Sequence, residues 1–209
     1  GHLAPFGKIT ERVTARTPQH PTAISGTTAD RLAAIGPDRE DIEIVPNGID
    51  VEQVRTAPLP GDDGDGGYDV LFAGRLIEHK NVDVLLEAFD AVAADHDATL
   101  GVIGDGPERD ALAAQADALT HADRVEMLGF LDDYEDVLGH MRAADVFASP
   151  STREGFGITF LESMAADYTV IAADHPESAA DEVITDAGFC VAPIVDALAE
   201  RLDAALGGA

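Results

Sequence analysis

Cysteine is almost absent. Cys190 stands alone among 209 residues, so no internal disulfide can form and a reducing, cytoplasmic setting is expected. Its neighbours Gly188, Phe189 and Val191 are small or apolar, which reads as a buried thiol and not a nucleophile. Tryptophan is missing, and Lys8 and Lys80 are the only lysines. Against 13 bases stand 40 acids, for a net charge of −27. That excess repels nucleic acid and anionic membrane surfaces, so neither is an expected partner of these residues. No apolar run approaches the roughly 20 residues of a membrane span, and no leader-like segment opens the chain. The seven histidines are scattered without ligand spacing, so no metal site is expected.

What is present suffices for a core. Hydrophobic residues make up 45% of the chain, and the acids are dispersed between regular apolar runs, which argues against disorder. An acid-rich, lysine-poor, alanine-rich composition is similar to that of proteins from salt-loving cytoplasms. Self-repulsion at this charge opposes compaction, so a halophilic fold that needs molar salt is expected.

Residues 1–55 read as the end of something. A short helix is expected over Ile9 to Arg16, a strand from Pro21 to Ser25, and a helix from Thr28 to Ile35 with Thr27 or Thr28 as its N-cap. Ile42 to Val45 is a strand, closed by the turn Pro46-Asn47-Gly48. These elements are too few to cover a sheet on both faces, so they are expected to be the remnant of a preceding domain and its hinge. Residues 56–67 read as an acidic Gly/Pro linker. Asp62, Asp63 and Asp65 suggest calcium, but counted from Asp63 the loop puts Gly67 and Gly74 where ligands are needed. From Tyr68 to residue 209 strand and helix periods alternate, which predicts an α/β fold with a doubly wound, Rossmann-like parallel sheet. Ligands of such sheets sit beyond the carboxyl ends of the strands, at the switch point.

The loops after strands therefore carry the interest. In Gly74-Arg75-Leu76-Ile77-Glu78-His79-Lys80-Asn81, Arg75 leaves a strand and Lys80 precedes a helix. The pair suits phosphate, although a surface pairing with Glu78 or Glu87 is the alternative. Gly104-Asp105-Gly106-Pro107 offers bare backbone after a strand, or simply a tight turn. Gly129-Phe130-Leu131 could lie beneath a base or pack into the core. In Glu154-Gly155-Phe156-Gly157-Ile158-Thr159-Phe160-Leu161-Glu162, a glycine loop opens a helix. Its free amides would receive an anion or sugar oxygen, and its carboxylates would accept from vicinal hydroxyls. The alternative is a strand–helix turn whose acids complement the helix dipole. Two other doubly wound classes fit less well. A flavin domain would be yellow, and a receiver needs an acidic triad that Asp105, Asp132 and Asp174 do not obviously assemble.

In this order, and together with Asn47-Gly48-Ile49-Asp50, these loops resemble the large group-one family of retaining glycosyltransferases (family four, GT-B fold). The resemblance runs from Ser25 to Val191. It implies that residues 68–209 are the C-terminal, donor-binding domain of a two-domain enzyme. Arg75 and Lys80 would hold the donor diphosphate, with Glu154 and the amides of Gly155 to Ile158 facing the transferred sugar and phosphate. Glu162 would bind ribose hydroxyls, Phe130 and Leu131 would border the base, and Gly74, Gly104, Gly106, Phe156 and Gly157 would complete the lining. Neither metal nor cofactor is implied, since cations and amides stabilise the leaving diphosphate. The expected partners are a nucleotide sugar and the chain's own N-terminal acceptor domain, through which any membrane contact would run. Alone, these residues are expected to bind donor without transferring a hexose; a non-catalytic nucleotide-sugar-binding module is the alternative. The chain departs from the family pattern at Asp167-Tyr168-Thr169 and at His175-Pro176-Glu177-Ser178. The second loop lies near the donor sugar in the family, which leaves the sugar open.

Overall fold

The computed structural model describes residues 4–15, 17, 20–61 and 66–208. The linker acids Asp62, Asp63 and Asp65, and the expected helix end at Arg16, lie outside them. The chain begins with α1 (Ala4–Ala15), β1 (Thr22–Ala23), α2 (Gly26–Ala33), β2 (Glu43–Ile44) and α3 (Val51–Thr56). β1 and β2 pair in parallel as a separate two-stranded sheet. Ala23, Ala29 and Ile42 form a small core beneath α2, joined by Leu32 and Ala33. The N-cap of α2 is Ser25, not Thr27 or Thr28; the Ser25 hydroxyl accepts from the Thr28 amide, and the Thr28 hydroxyl accepts from the Ser25 amide. That reciprocal closure satisfies two donors at once. The six-residue α3 was not expected from the sequence. Asp50 caps it by accepting from the Gln53 amide, so the expected division at residue 55 falls inside a helix.

The main sheet is built from β3 (Val70–Ala73), β4 (Leu100–Ile103), β5 (Val125–Gly129), β6 (Val146–Ser149), β7 (Thr169–Ala173) and β8 (Gly188–Val191). Their spatial order is β5-β4-β3-β6-β7-β8, with every pairing parallel. β3, β4 and β6 are buried at every residue, as a parallel sheet covered on both faces requires. Between the strands run α4 (Val82–His96), α5 (Arg109–Asp117), α6 (Tyr134–Ala143), α7 (Ile158–Ala165) and α8 (Ala180–Ile184), and α9 (Val195–Leu206) closes the described chain.

Alternating strand residues divide the two faces. Val70 and Phe72 join Leu85, Leu86 and Phe89 of α4 and Leu198 and Leu202 of α9 in one core. Leu71 and Ala73 join Val54 of α3, Leu138 and Met141 of α6, Phe160 of α7 and Ile184 of α8 in the other. The chain steps outward from β3 to β5, then returns to the far side of β3 as β6. The switch point therefore lies between β3 and β6, and the loops that follow those two strands flank it.

The small unit is fastened to α8. The Glu182 carboxylate of α8 accepts from the amides of Gly26 and Thr27 at 2.6 and 2.7 Å and from the Thr27 hydroxyl at 2.5 Å. It thus neutralises the N-terminus of α2. Although partial burial works against it, the Thr27 and Gly26 hydrogen bonds hold this carboxyl below its ordinary value. A lowered value gives stability that is present above the ordinary glutamate range and lost as pH falls through the folded value. Glu182→Gln should therefore cost about 0.5–2 kcal/mol at neutral pH, the span for losing a helix cap. It should also flatten the acid limb of stability, as urea melts between pH 3 and pH 7 would show. An acid limb identical to that of the parent would exclude this role.

Candidate functional site

A cleft of about 570 Å³ opens beyond the carboxyl ends of β3, β4 and β5. Gly74 and Arg75 line it from the loop after β3, Gly104 and Asp105 from the loop after β4, and Phe130 and Leu131 from the loop after β5. Backbone bonds zip these loops together. The Gly74 amide donates to Ile103 at 3.0 Å, the Gly104 amide to Gly129 at 2.8 Å and the Leu76 amide to Asp105 at 2.9 Å. Gly104 has φ +143, and a Cβ there would overlap the Gly74 carbonyl oxygen. Only glycine lets the two loops approach so closely. The Arg75 side chain is exposed and makes no hydrogen bond or ion pair among the described residues, so its five donors remain available. Phe130 is 72% exposed, too open for a core residue, and its ring forms an apolar wall.

The second cluster lies at the switch point. The 74–81 and 150–154 loops are stitched by Asn81 Nδ2 donating to Pro150 at 2.9 Å and by the Thr152 amide donating to His79 at 2.9 Å. Asn81 adopts the left-handed conformation that asparagine tolerates better than most residues. Across this seam Lys80 Nζ meets Glu154 Oε2 at 2.5 Å, with both side chains only 17% exposed. The cation is therefore engaged, but not with Glu78 or Glu87. Behind the pair, the carbonyls of the glycine loop are pinned: Ser25 Oγ donates to Gly155 at 2.7 Å and the Ala179 amide to Glu154 at 2.9 Å. The amides of Gly155, Phe156, Gly157 and Ile158 have no protein acceptor among the described residues. Unsatisfied amides that lead into a helix N-terminus form an anion-binding feature.

The third cluster is a buried carboxylate. Glu162, one turn into α7, is 5% exposed. Its Oε1 accepts from the Tyr134 hydroxyl at 2.5 Å, while Oε2 is buried with no partner among the described residues. Desolvation raises this carboxyl above its ordinary value, and the Tyr134 hydrogen bond opposes that only in part. An unpartnered buried carboxylate oxygen is costly, which makes it a place where a ligand hydroxyl would be favoured.

The expected residues thus separate into neighbouring groups. Gly74, Arg75, Gly104, Phe130 and Leu131 line the cleft. Gly106 lies outside the lining, tight against the Leu76 carbonyl. Lys80, Glu154 and the 155–158 amides gather at the seam, and Phe156 contributes backbone only, since its side chain is buried. Ile158 is exposed at the start of α7. Glu162 joins the cleft through Tyr134, which lines it together with Thr159. Neither Tyr134 nor Thr159 was expected. The Asp133 that caps α6 marks where Tyr134 stands, but its partner is 28 residues away and leaves no local pattern. Among the described residues no group of three or more His, Cys, Asp or Glu could hold a metal, and no helix is long and apolar enough to cross a membrane.

The chain is similar in sequence and fold to known glycosyltransferases. The phosphatidyl-myo-inositol mannosyltransferase of Mycobacterium leprae is 36% identical over 147 residues, covering 69% of this chain and 37% of that protein. The alpha-monoglucosyldiacylglycerol synthase of Streptococcus pneumoniae is 39% identical over 113 residues, 54% of this chain and 25% of that protein. Among solved structures, Anabaena HepE in complex with UDP and glucose superposes with a TM-score of 0.79 at 24% identity, over 97% of this chain and 59% of that one. This chain thus spans well under half of those two curated relatives, and the fold it shares with HepE is the GT-B glycosyltransferase fold expected from the sequence. The profile of the family described as glycosyl transferases group 1 matches residues 62–208, and the chain belongs to that family.

Proposed function

We propose that these residues are the donor-binding half of a retaining glycosyltransferase that moves a hexose from a nucleoside diphosphate sugar to an acceptor. One observation carries this reading: polar groups without protein partners converge at one end of the sheet, and their kinds match the parts of such a donor. The free guanidinium of Arg75 and the 155–158 amides suit a diphosphate, and the orphan oxygen of Glu162 suits a ribose hydroxyl. Phe130 and Leu131 would border the base.

In the reaction so proposed, the acceptor oxygen bonds to the anomeric carbon on the face from which the diphosphate departs, and a departing phosphate oxygen takes the acceptor's proton. Arg75, Lys80 and the amides would offset the charge that develops on the leaving group, with no metal required. The acceptor would be held from the other side of the cleft. Such positioning is worth about 7–11 kcal/mol of barrier, so these residues alone should bind donor without appreciable transfer.

A thermal-shift panel of nucleoside mono- and diphosphates, run in high salt because of the −27 charge, tests the reading. The preferred diphosphate should stabilise the fold by about 2.7 kcal/mol at a hundredfold excess over its Kd, and the monophosphate should do less. Equal shifts would remove the diphosphate assignment. Donor binding without turnover by the full-length protein would favour a nucleotide-sugar-binding module.

A further inference from the structure

Tyr134 touches Glu162 from across the cleft wall. It is the first residue of α6 and lines the cleft. Its ring is half exposed, yet its hydroxyl reaches inward to Glu162 Oε1 at 2.5 Å. No cation among the described residues shares that carboxylate. Lys80 is committed to Glu154. Arg55 of α3 donates to the Ala165 carbonyl and lies beside Asp167. Arg142 of α6 donates to the Ala57 carbonyl. The acids on the neighbouring helices, Asp136 of α6 and Glu182 of α8, make no bond to Glu162, and Glu182 is spent on α2. Among the described residues one neutral phenol is thus the whole of the hydrogen bonding to a nine-tenths-buried carboxylate.

We propose that Tyr134 is a positioning residue for Glu162: its hydroxyl fixes the carboxylate rotamer through Oε1 and leaves Oε2 to take a ligand hydroxyl. This rests on the donor-site reading for the identity of the hydroxyl as one of a ribose. The geometry of the pair itself does not depend on that reading. Charge-assisted O–H···O bonds are short and directional, so a carboxylate held at one oxygen cannot rotate freely to offer the other elsewhere. Without the phenol, both oxygens of Glu162 would be buried and unpartnered. The carboxyl would then gain its proton at a higher pH, and a protonated carboxyl is a poorer acceptor.

The test compares the parent chain with Tyr134→Phe, Glu162→Gln and the double variant. The phenylalanine change removes one oxygen atom and leaves the ring in place, and circular dichroism checks the fold. Without ligand, carboxyl-carbon NMR follows the titration of Glu162, whose resonance is identified by its loss in Glu162→Gln. Tyr134→Phe should move that midpoint upward; an unmoved midpoint overturns the proposal. With ligand, the probes are adenosine, guanosine and uridine diphosphates and the 2′,3′-dideoxy counterpart of whichever binds best. Tyr134→Phe should weaken the ribonucleotide about tenfold, the scale of one hydrogen bond to a charged group, and the dideoxy form less than twofold. It should change neither further in the Glu162→Gln background. Equal losses for both sugars, or additive losses in the double variant, also overturn it. If the midpoint moves but no nucleotide binds the parent chain, the donor-site reading falls while the positioning role stands.

Discussion

Alanine at position 104 should cost the fold about 3–5 kcal/mol and abolish nucleotide binding with it. Two penalties combine. A non-glycine residue at φ +143 occupies a region that is almost glycine-only and carries about 1–3 kcal/mol of strain. In addition, the new methyl group would overlap the Gly74 carbonyl oxygen, which is backbone and cannot turn aside as a side chain would. Relief requires the loops after β3 and β4 to separate, which breaks the bonds from Gly74 to Ile103 and from Leu76 to Asp105. Those bonds floor the cleft, so stability and site fail together. Gly48→Ala is the control: nothing lies within 4 Å of a Cβ there, and its effect should stay within about 0.5 kcal/mol of zero. Urea melts of the two variants decide the matter, and similar midpoints would show that the loops do not approach as described.

The second large effect is expected at Lys80. Lys80→Ala removes the only cation paired with Glu154 among the described residues, and both partners are mostly buried. Breaking a fully buried pair costs about 3–5 kcal/mol, and the residual exposure here lowers the expectation to about 2–4. Diphosphate affinity should fall further than stability implies, because the anion would meet an uncompensated Glu154. The double variant Lys80→Ala/Glu154→Gln separates the two consequences: it should recover most of the stability and little of the affinity. Recovery of both would show that Lys80 serves only Glu154. Arg75→Ala offers the contrast. It has no partner to lose among the described residues, so stability should be unchanged while diphosphate binding weakens by about 1.5–3 kcal/mol. Titration calorimetry beside urea melts supplies both quantities for each variant.

Local pattern and resemblance made the sheet and the loops legible, because both are written in short stretches. Val70 to Ala73 is a continuous apolar run within the stretch from Tyr68 that was read as alternating strands and helices. Gly74, Gly104 and Glu154 follow strands and were read as site loops. What escaped was decided between distant residues. For Lys80 the nearby acids Glu78 and Glu87 were the alternative to a ligand, whereas the acid it meets in the fold lies 74 positions on. Ser25, Thr27 and Thr28 are each able to cap a helix; Glu182 and Gly155, far along the chain, hold the arrangement in which Ser25 does so. Tyr134 opens α6, and only the fold brings its hydroxyl to the Glu162 carboxylate. The short α3 was hidden because Asp50 was read within the motif Asn47-Gly48-Ile49-Asp50 and Thr56 with the linker, leaving too few residues for a periodic pattern.

The strand order also bears on how the molecule is assembled. β3 takes β4 as a neighbour on one side early in the chain, but waits for β6 on the other: Val70 pairs with both Leu100 and Val146. Nonlocal pairing of this kind is slow, since a long loop must close before any contact rewards it. Until β6 arrives, β3 presents an open edge of wholly apolar residues, the sort of template on which chains stick to one another. The Lys80–Glu154 seam straddles that same junction. The anion-binding corner of the site is therefore among the last features to form, and a half-folded chain would hold half a sheet and no corner at all.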